Sequence, residues 1–302
     1  MSAGESTGEI LKSLAVNIAI AVFKGIAAAI TGSGAMLAET LHSFADCGNQ
    51  LLLLQGVRAA KKPPDKDHPF GFGRSLYFYS FIVALLLFFG GGVFSIYEGV
   101  HKISEPEPVG DITVAMVILG VSVLLEGWSL LGNLKAINKR RGARGLLRYL
   151  RDTKDSDLIV VAGENSAAVL GLVLAAAAVG MSKVTNDGRW DAVGSLAIGA
   201  VLVGVATFLA REVKSLLVGE AADPELVKSF EELAALDPNV EQVLNVMTLQ
   251  QGPGEIVVAA KLKFRPNMDT DTLVEAINAF ERALKAKLPE VRWSFIEPDN
   301  KD

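Results

Sequence analysis

The chain has 302 residues, of which 50% are hydrophobic and 21% charged, with a formal net charge of -5. That apolar weight excludes a disordered chain and exceeds what one soluble core of this length needs. The charge is unevenly shared: residues 1–211 hold 19 Lys and Arg against 17 Asp and Glu, whereas residues 212–302 hold 10 against 17.

In chain order, the first part contains six apolar stretches: Leu14 to Ile30, Ala35 to Val57, Leu76 to Tyr97, Ile112 to Leu131, Leu158 to Val179 and Ala192 to Leu209. Each is long enough to be read against the roughly 20 helical residues that cross a hydrocarbon layer. Any one could be a buried soluble helix, but six of them, most rich in Gly and Ala, predict a packed transmembrane bundle. Glu5, Glu9 and Lys12 precede the first stretch and Lys24 interrupts it. It therefore lacks the basic n-region of a cleavable signal peptide and is expected to stay in the mature protein.

The link between stretches two and three holds Arg58, Lys61, Lys62, Lys66 and Arg74; that between four and five holds Lys135, Lys139, Arg140, Arg141, Arg144, Arg148, Arg151 and Lys154. The opposite links carry only Lys102, Lys183 and Arg189. The positive-inside bias then puts both termini in the cytoplasm, and the expected location is the cell membrane. The same bias accounts for the basic run Lys139 to Arg151 more cheaply than an RNA or anionic-lipid site, so no nucleic-acid partner is expected. The single cysteine, Cys47, forbids an internal disulfide framework.

From Glu212 the pattern changes. Asp223-Pro224 opens a helix through Leu236, with Asp at the N-cap and Pro at the first helical position. Val240 to Gln250 reads as a strand, Gly252-Pro253-Gly254 as a turn and Glu255 to Phe264 as the partner strand of a hairpin. A helix from about Thr270 to Leu288 and a strand from Val291 to Ile296 complete an α-β-β-α-β order. Three strands with two helices on one face predict a small α+β domain, residues 212–302, behind a membrane domain of residues 1–211. At that size, pairing with a second copy would help it to hold a core.

Ionisable groups inside a spanning helix are costly and mark candidate functional sites. Stretch two carries Glu39, His42 and Asp46, with Asn49 a turn further. At about 100° per residue the four fall within roughly 80° of one another, as one polar stripe. Such a stripe could merely bond helices together, although Ser, Thr or Asn would do that without the cost of ionisable groups. The sharper reading is a metal site. Imidazole and carboxylate four residues apart stack on successive turns, so His42 and Asp46 can address one ion, and an N/O pair suits Zn²⁺ and its neighbours Fe²⁺, Mn²⁺ and Co²⁺. Stretch five carries Glu164, followed by Asn165 and Ser166. If the two helices face each other, Glu164 completes a three-ligand set, with Asn165, Glu39, Asn49 or water in the fourth position. Protons can displace an ion held by carboxylates and imidazole, so alternating access with H⁺ counter-flow is available. Cys47, off the stripe, is expected to pack.

These residues resemble the cation diffusion facilitator family. The segment from Ser33 through Glu39 and His42 to Asp46 resembles that family's second-helix signature, and His68-Pro-Phe-Gly-Phe-Gly-Arg74 resembles the loop that follows it. Asp191 to Ala210 and the tail also match, so the resemblance covers nearly the whole chain. It implies a homodimer of six-helix protomers, paired by cytoplasmic ferredoxin-like tails, that exports divalent cations, most often Zn²⁺, from the cytoplasm in exchange for protons. Family members usually present two ligands four residues apart on each of helices two and five; here helix five has Glu164 and then Ala168, which cannot ligate. This departure resembles the zinc transporter nine branch. A loop site, as in relatives, would use Asp65 and His68, although Phe72 stands where relatives place another His and a structural turn is an equal reading. His42, His68 and His101 are the only histidines, so the tail has no imidazole site.

The expectation is thus a proton-coupled metal transporter, not an enzyme, since no HExxH pair and no nucleophile with a facing base is evident. The alternative is a non-transporting scaffold or regulatory partner that has lost one ligand at Ala168.

Overall fold

The computed structural model describes residues 3–104, 112–142, 144–154 and 156–301. The chain divides into two compact units, one built from Met1–Arg58, Phe78–Arg151 and Ser156–Val213, the other from Ala59–Tyr77, Asp152–Asp155 and Lys214–Asp302.

The first unit is helical. All six apolar stretches fall inside helices: α1 (Ala3–Thr31), α2 (Gly34–Ala60), α3 (Ser75–Leu86) continued by a π-helical segment Leu87–Val93 and α4 (Phe94–Ser104), α5 (Ile112–Arg141), then, after the short α6 (Leu146–Asp152), α7 (Ser156–Thr185) and α8 (Arg189–Val218). Helical backbone satisfies its own N–H and C=O groups, the condition for crossing hydrocarbon. Among the described residues, four helices are long and apolar enough to cross a membrane: Ser75–Ser104, Ala115–Arg141, Leu158–Thr185 and Arg189–Val218. In α1 the apolar helix is the shorter Asn17–Thr31. The polar stripe interrupts the apolar run of α2. Sequence reasoning did not anticipate α6, which overlaps the end of the basic run Lys139 to Arg151.

Glycines let the π-segment and α4 approach α8 closely. A Cβ on Gly99 would lie 2.7 Å from Leu196 Cγ, one on Gly92 2.7 Å from Val203 Cγ2, and one on Gly199 2.7 Å from Ile96 Cγ1. Small residues at such seams bring backbones together where hydrocarbon offers no hydrophobic drive.

The second unit contains α9 (Pro224–Leu236), β1 (Val240–Gly252), β2 (Glu255–Phe264), α10 (Thr270–Lys287) and β3 (Val291–Pro298). The sheet order is β1-β2-β3, with β1 antiparallel and β3 parallel to β2. Alternation along β2 puts Ile256, Val258, Ala260, Leu262 and Phe264 on one buried face. That face packs on Leu226, Phe230 and Ala234 of α9 and on Ala276, Phe280 and Leu284 of α10. Phe230 and Phe280 meet edge to face at 5.4 Å. Both helices begin on an aspartate cap: Asp223 accepts from Glu225 N at 2.9 Å and Asp269 from Thr272 N at 2.8 Å.

The segment after α2 belongs to this unit, a membership its sequence position does not reveal. Phe70 meets Trp293 and Phe295 edge-on at 5.6 and 6.4 Å. A Cβ on Gly73 would lie 2.7 Å from the carbonyl of Gln251, so the loop lies directly against the β1–β2 turn.

Candidate metal centre

The helix that carries the polar stripe is anchored at its start. Gly32 takes a left-handed φ of 64°, which reverses the chain after α1. The buried Asp191, at the beginning of α8, then gathers the first donors of α2. It accepts from Ser33 Oγ, from Gly34 N at 2.5 Å and from Ala35 N at 3.3 Å. Lys102 of α4 donates to the Gly32 carbonyl and lies 3.7 Å from Asp191. An anion at a helix N-terminus satisfies donors that have no intrahelical partner. Here it joins α2 to α8 and helps to hold the rotation of the stripe.

Within the stripe, His42 is fully buried, and its Nδ1 lies 3.6 Å from Asp46 Oδ1. Among the described residues, neither ring nitrogen finds a hydrogen-bond partner, nor does Asp46 Oδ1. A buried imidazole and carboxylate oxygen left in this way carry a desolvation cost that an ion between them would offset. A turn further, Asn49 Nδ2 donates to Glu164 Oε1 of α7 at 2.6 Å. At the other end, Glu39 Oε2 pairs with Lys24 Nζ of α1 at 3.3 Å, and Oε1 lies against Gly171 of α7, where a Cβ would run into it.

These contacts run antiparallel along α2 and α7: Glu39 is level with Gly171, and Asn49 with Glu164. The part of α7 between them, opposite His42 and Asp46, carries Ala168, which is buried and has no donor atom. Glu164 and Gly171 are separated by about 10 Å of helix rise. Glu39 and Glu164 thus flank the His42–Asp46 pair from opposite ends. Among the described residues, no three His, Cys, Asp or Glu side chains come together as a set that could hold an ion. Glu164 is engaged by Asn49, and Asn165, partly buried beside it, hydrogen-bonds none of the other candidates.

The loop pair does meet. Asp65 Oδ1 accepts from His68 N at 2.6 Å and Asp67 N at 3.0 Å, and lies 3.1 Å from His68 Nδ1. Partial desolvation raises the Asp65 carboxyl, but hydrogen bonds from the His68 backbone and ring and from Asp67 outweigh this and hold it below the usual carboxylate range. His68 also packs on Phe72, with ring centroids 4.3 Å apart. These contacts build a turn around one carboxylate.

Two ionisable residues at the site escaped sequence reasoning. Lys24, in sequence an interruption of the first apolar stretch, is fully buried and donates to Ser43 Oγ at 2.8 Å as well as pairing with Glu39. Glu126 of α5 lies within electrostatic reach of Lys24, Asp46 and His42. The rule that singled out Glu39 and Glu164, an ionisable group inside an apolar stretch, applies equally to both.

Four helices, α1, α2, α5 and α7, therefore bring ionisable side chains to one interior region of a bundle with membrane-length helices. Residues 10–218 match the family model described as the cation efflux transmembrane domain. The chain belongs to this family, the cation diffusion facilitators, and resembles its zinc transporter nine-like members. It is 34% identical over 255 residues to the proton-coupled zinc antiporter SLC30A9, mitochondrial, of Xenopus laevis, covering 84% of this chain and 46% of that protein. The Homo sapiens protein of the same name is 31% identical over 293 residues, covering 95% of this chain and 51% of the relative. Metal tolerance protein C4 of Arabidopsis thaliana is 30% identical over 240 residues, covering 79% and 52%. The chain thus spans about half the length of these curated relatives.

Proposed function

We propose that this protein carries divalent metal cations, Zn²⁺ first among them, across a membrane in exchange for protons. The observation that supports this most is the buried His42–Asp46 pair, whose facing nitrogen and oxygen atoms lack hydrogen bonds among the described residues. The family membership and the relatives named as proton-coupled zinc antiporters point the same way. In this reading His42 and Asp46 hold the ion and Glu164 joins them by exchanging its hydrogen bond with Asn49. Asn165 or water supplies the remaining position, and Glu39, held by Lys24, stands outside the set. Protonation of the same side chains releases the ion, which couples metal to H⁺. Asp65 and His68 organise the loop rather than hold cargo.

The proposal takes α1, α2, the α3–α4 helix, α5, α7 and α8 as six spanning helices, with residues 212–302 as a ferredoxin-like dimerisation domain. It places both termini and that domain in the cytoplasm, in a homodimer that exports the ion through the cell membrane. Animal relatives whose names include "mitochondrial" make an organelle membrane the competing location.

The deciding experiment is flux in proteoliposomes with an imposed pH gradient and competing metals. Saturable Zn²⁺ uptake that alkalinises the lumen in step as protons leave, and that is lost in Asp46→Ala and His42→Ala, is the expected result. Ala168 opposite the pair favours one other reading, a non-transporting scaffold or regulatory partner. A well-folded wild-type protein with no flux of any metal would establish that reading instead.

A further inference from the structure

A lysine within the apolar part of α1 is expensive in hydrocarbon, and a helix that merely spans has no use for it. Lys24 is fully buried while its neighbours Phe23 and Ile26 on α1 are exposed, so its side chain turns inward. Among the described residues its ammonium donates to two side chains, both on α2: Ser43 Oγ at 2.8 Å and Glu39 Oε2 at 3.3 Å. They flank His42 in sequence. On its other side the Glu39 carboxylate fits against α7 only because Gly171 has no Cβ. Glu39 Oε1 has no hydrogen-bond partner among the described residues. The carboxylate is thus held between a cation and a bare stretch of backbone, three residues before His42 on the same face of α2.

We infer that Lys24 is a positioning residue for ion selection: it holds Glu39 off the His42–Asp46 pair and so limits the number of carboxylates that reach the ion. This rests on the transport reading above. Imidazole with few carboxylates suits Zn²⁺, whereas each added carboxylate shifts a site toward Mn²⁺ and other hard, oxygen-preferring ions. Without the ammonium, Glu39 is a free buried carboxylate one turn from His42, and a bound cation is the nearest charge that can compensate it.

The test measures initial rates of Zn²⁺ and Mn²⁺ uptake by the full chain in proteoliposomes. Lys24→Met should lower the KM for Mn²⁺ relative to that for Zn²⁺ by roughly tenfold, the scale on which residues behind metal ligands act, and should lower the maximal rate as release slows. Lys24→Arg keeps the pairing charge and should retain the wild-type preference. Lys24→Met combined with Glu39→Gln should return the preference toward wild type, a rescue that a merely structural role for Lys24 would not produce. Ser43→Ala, which keeps every charge and removes one of the two partners, should shift the preference the same way by a smaller factor, and decides the matter if Lys24→Met does not fold. An unchanged Zn²⁺/Mn²⁺ preference in the folded variants, or a shift that Glu39→Gln does not reverse, overturns the role of Lys24. Wild-type protein without saturable uptake of either ion overturns the transport reading itself.

Discussion

Asn49 of α2 donates a 2.6 Å hydrogen bond to Glu164 of α7 and so ties together the two helices that carry the candidate ligands. The bond gives Glu164 a partner when no ion is near. It also places the glutamate on the far side of Asp46 from Glu39, a position that spacing along either helix does not specify. A hydrogen bond to a charged group contributes about 1.5–3 kcal/mol, enough to tether the carboxylate and small enough for a divalent ion to displace.

Replacing this carboxylate should matter more than replacing its neighbour. Glu164→Gln is expected to weaken Zn²⁺ binding more than Asn165→Ala does, measured calorimetrically on detergent-solubilised protein. The reverse order would mean that Asn165, not Glu164, faces the ion.

Packing at the α4–α8 seam should resist any added side chain. Gly99→Val puts a Cβ 2.7 Å from Leu196 Cγ and 2.9 Å from the Leu196 backbone nitrogen, which cannot turn aside as a side chain can. Overpacking of this kind costs about 1–3 kcal/mol. Gly127→Ala, on α5 with no described atom within 4 Å of its added Cβ, is the control and should not lower thermal stability. Equal melting temperatures for the two variants would contradict the close approach.

The second unit should lose stability in acid partly through the Asp269 helix cap. The Thr272 backbone N–H, followed by the Thr272 side chain, holds the Asp269 carboxyl below its ordinary value. A carboxyl depressed in the folded state stabilises above its unfolded pKa of about 3.9 and loses that contribution as pH falls through the lower folded value. Asp269→Ala should therefore reduce stability at pH 7 and narrow the gap to wild type as the pH falls below about 4. Denaturation followed at both pH values checks this, and a gap that widens in acid would reverse the sign.

Removing residues 212–302 should weaken self-association without abolishing metal binding, because the His42–Asp46 pair lies wholly within the helical unit. Light scattering and metal titration of the truncated chain distinguish the two effects. A truncated protein that is folded and binds no metal would show that the site depends on the second unit.

Much of this architecture is written locally. The Asp223 cap, the Pro224 start and the alternation of Glu255–Phe264 predicted α9 and β2 at the bounds observed, because caps and side-chain periodicity depend only on near neighbours in the chain. His42 and Asp46 were legible for the same reason, since residues four apart on a helix must stack. Lys24 and Glu126 were visible as letters but carried no partner that spacing could supply. The loop around Phe70 and Gly73 showed its glycines but not that they meet the β1–β2 turn, whose residues lie far along the chain.

The sequence by itself determined the long helices and the strands, though not the short α6; it also determined which face of α2 is polar and that its one His–Asp pair could address an ion. These follow from the turn of a helix and the pleat of a strand. The tertiary structure alone decided how the buried charges divide: Glu39 to Lys24, Glu164 to Asn49, and His42 with Asp46 left between them opposite Ala168. The physical reason is that buried charges must find partners across space. Those partners depend on how each helix is rotated and slid against its neighbours, and no single helix encodes that.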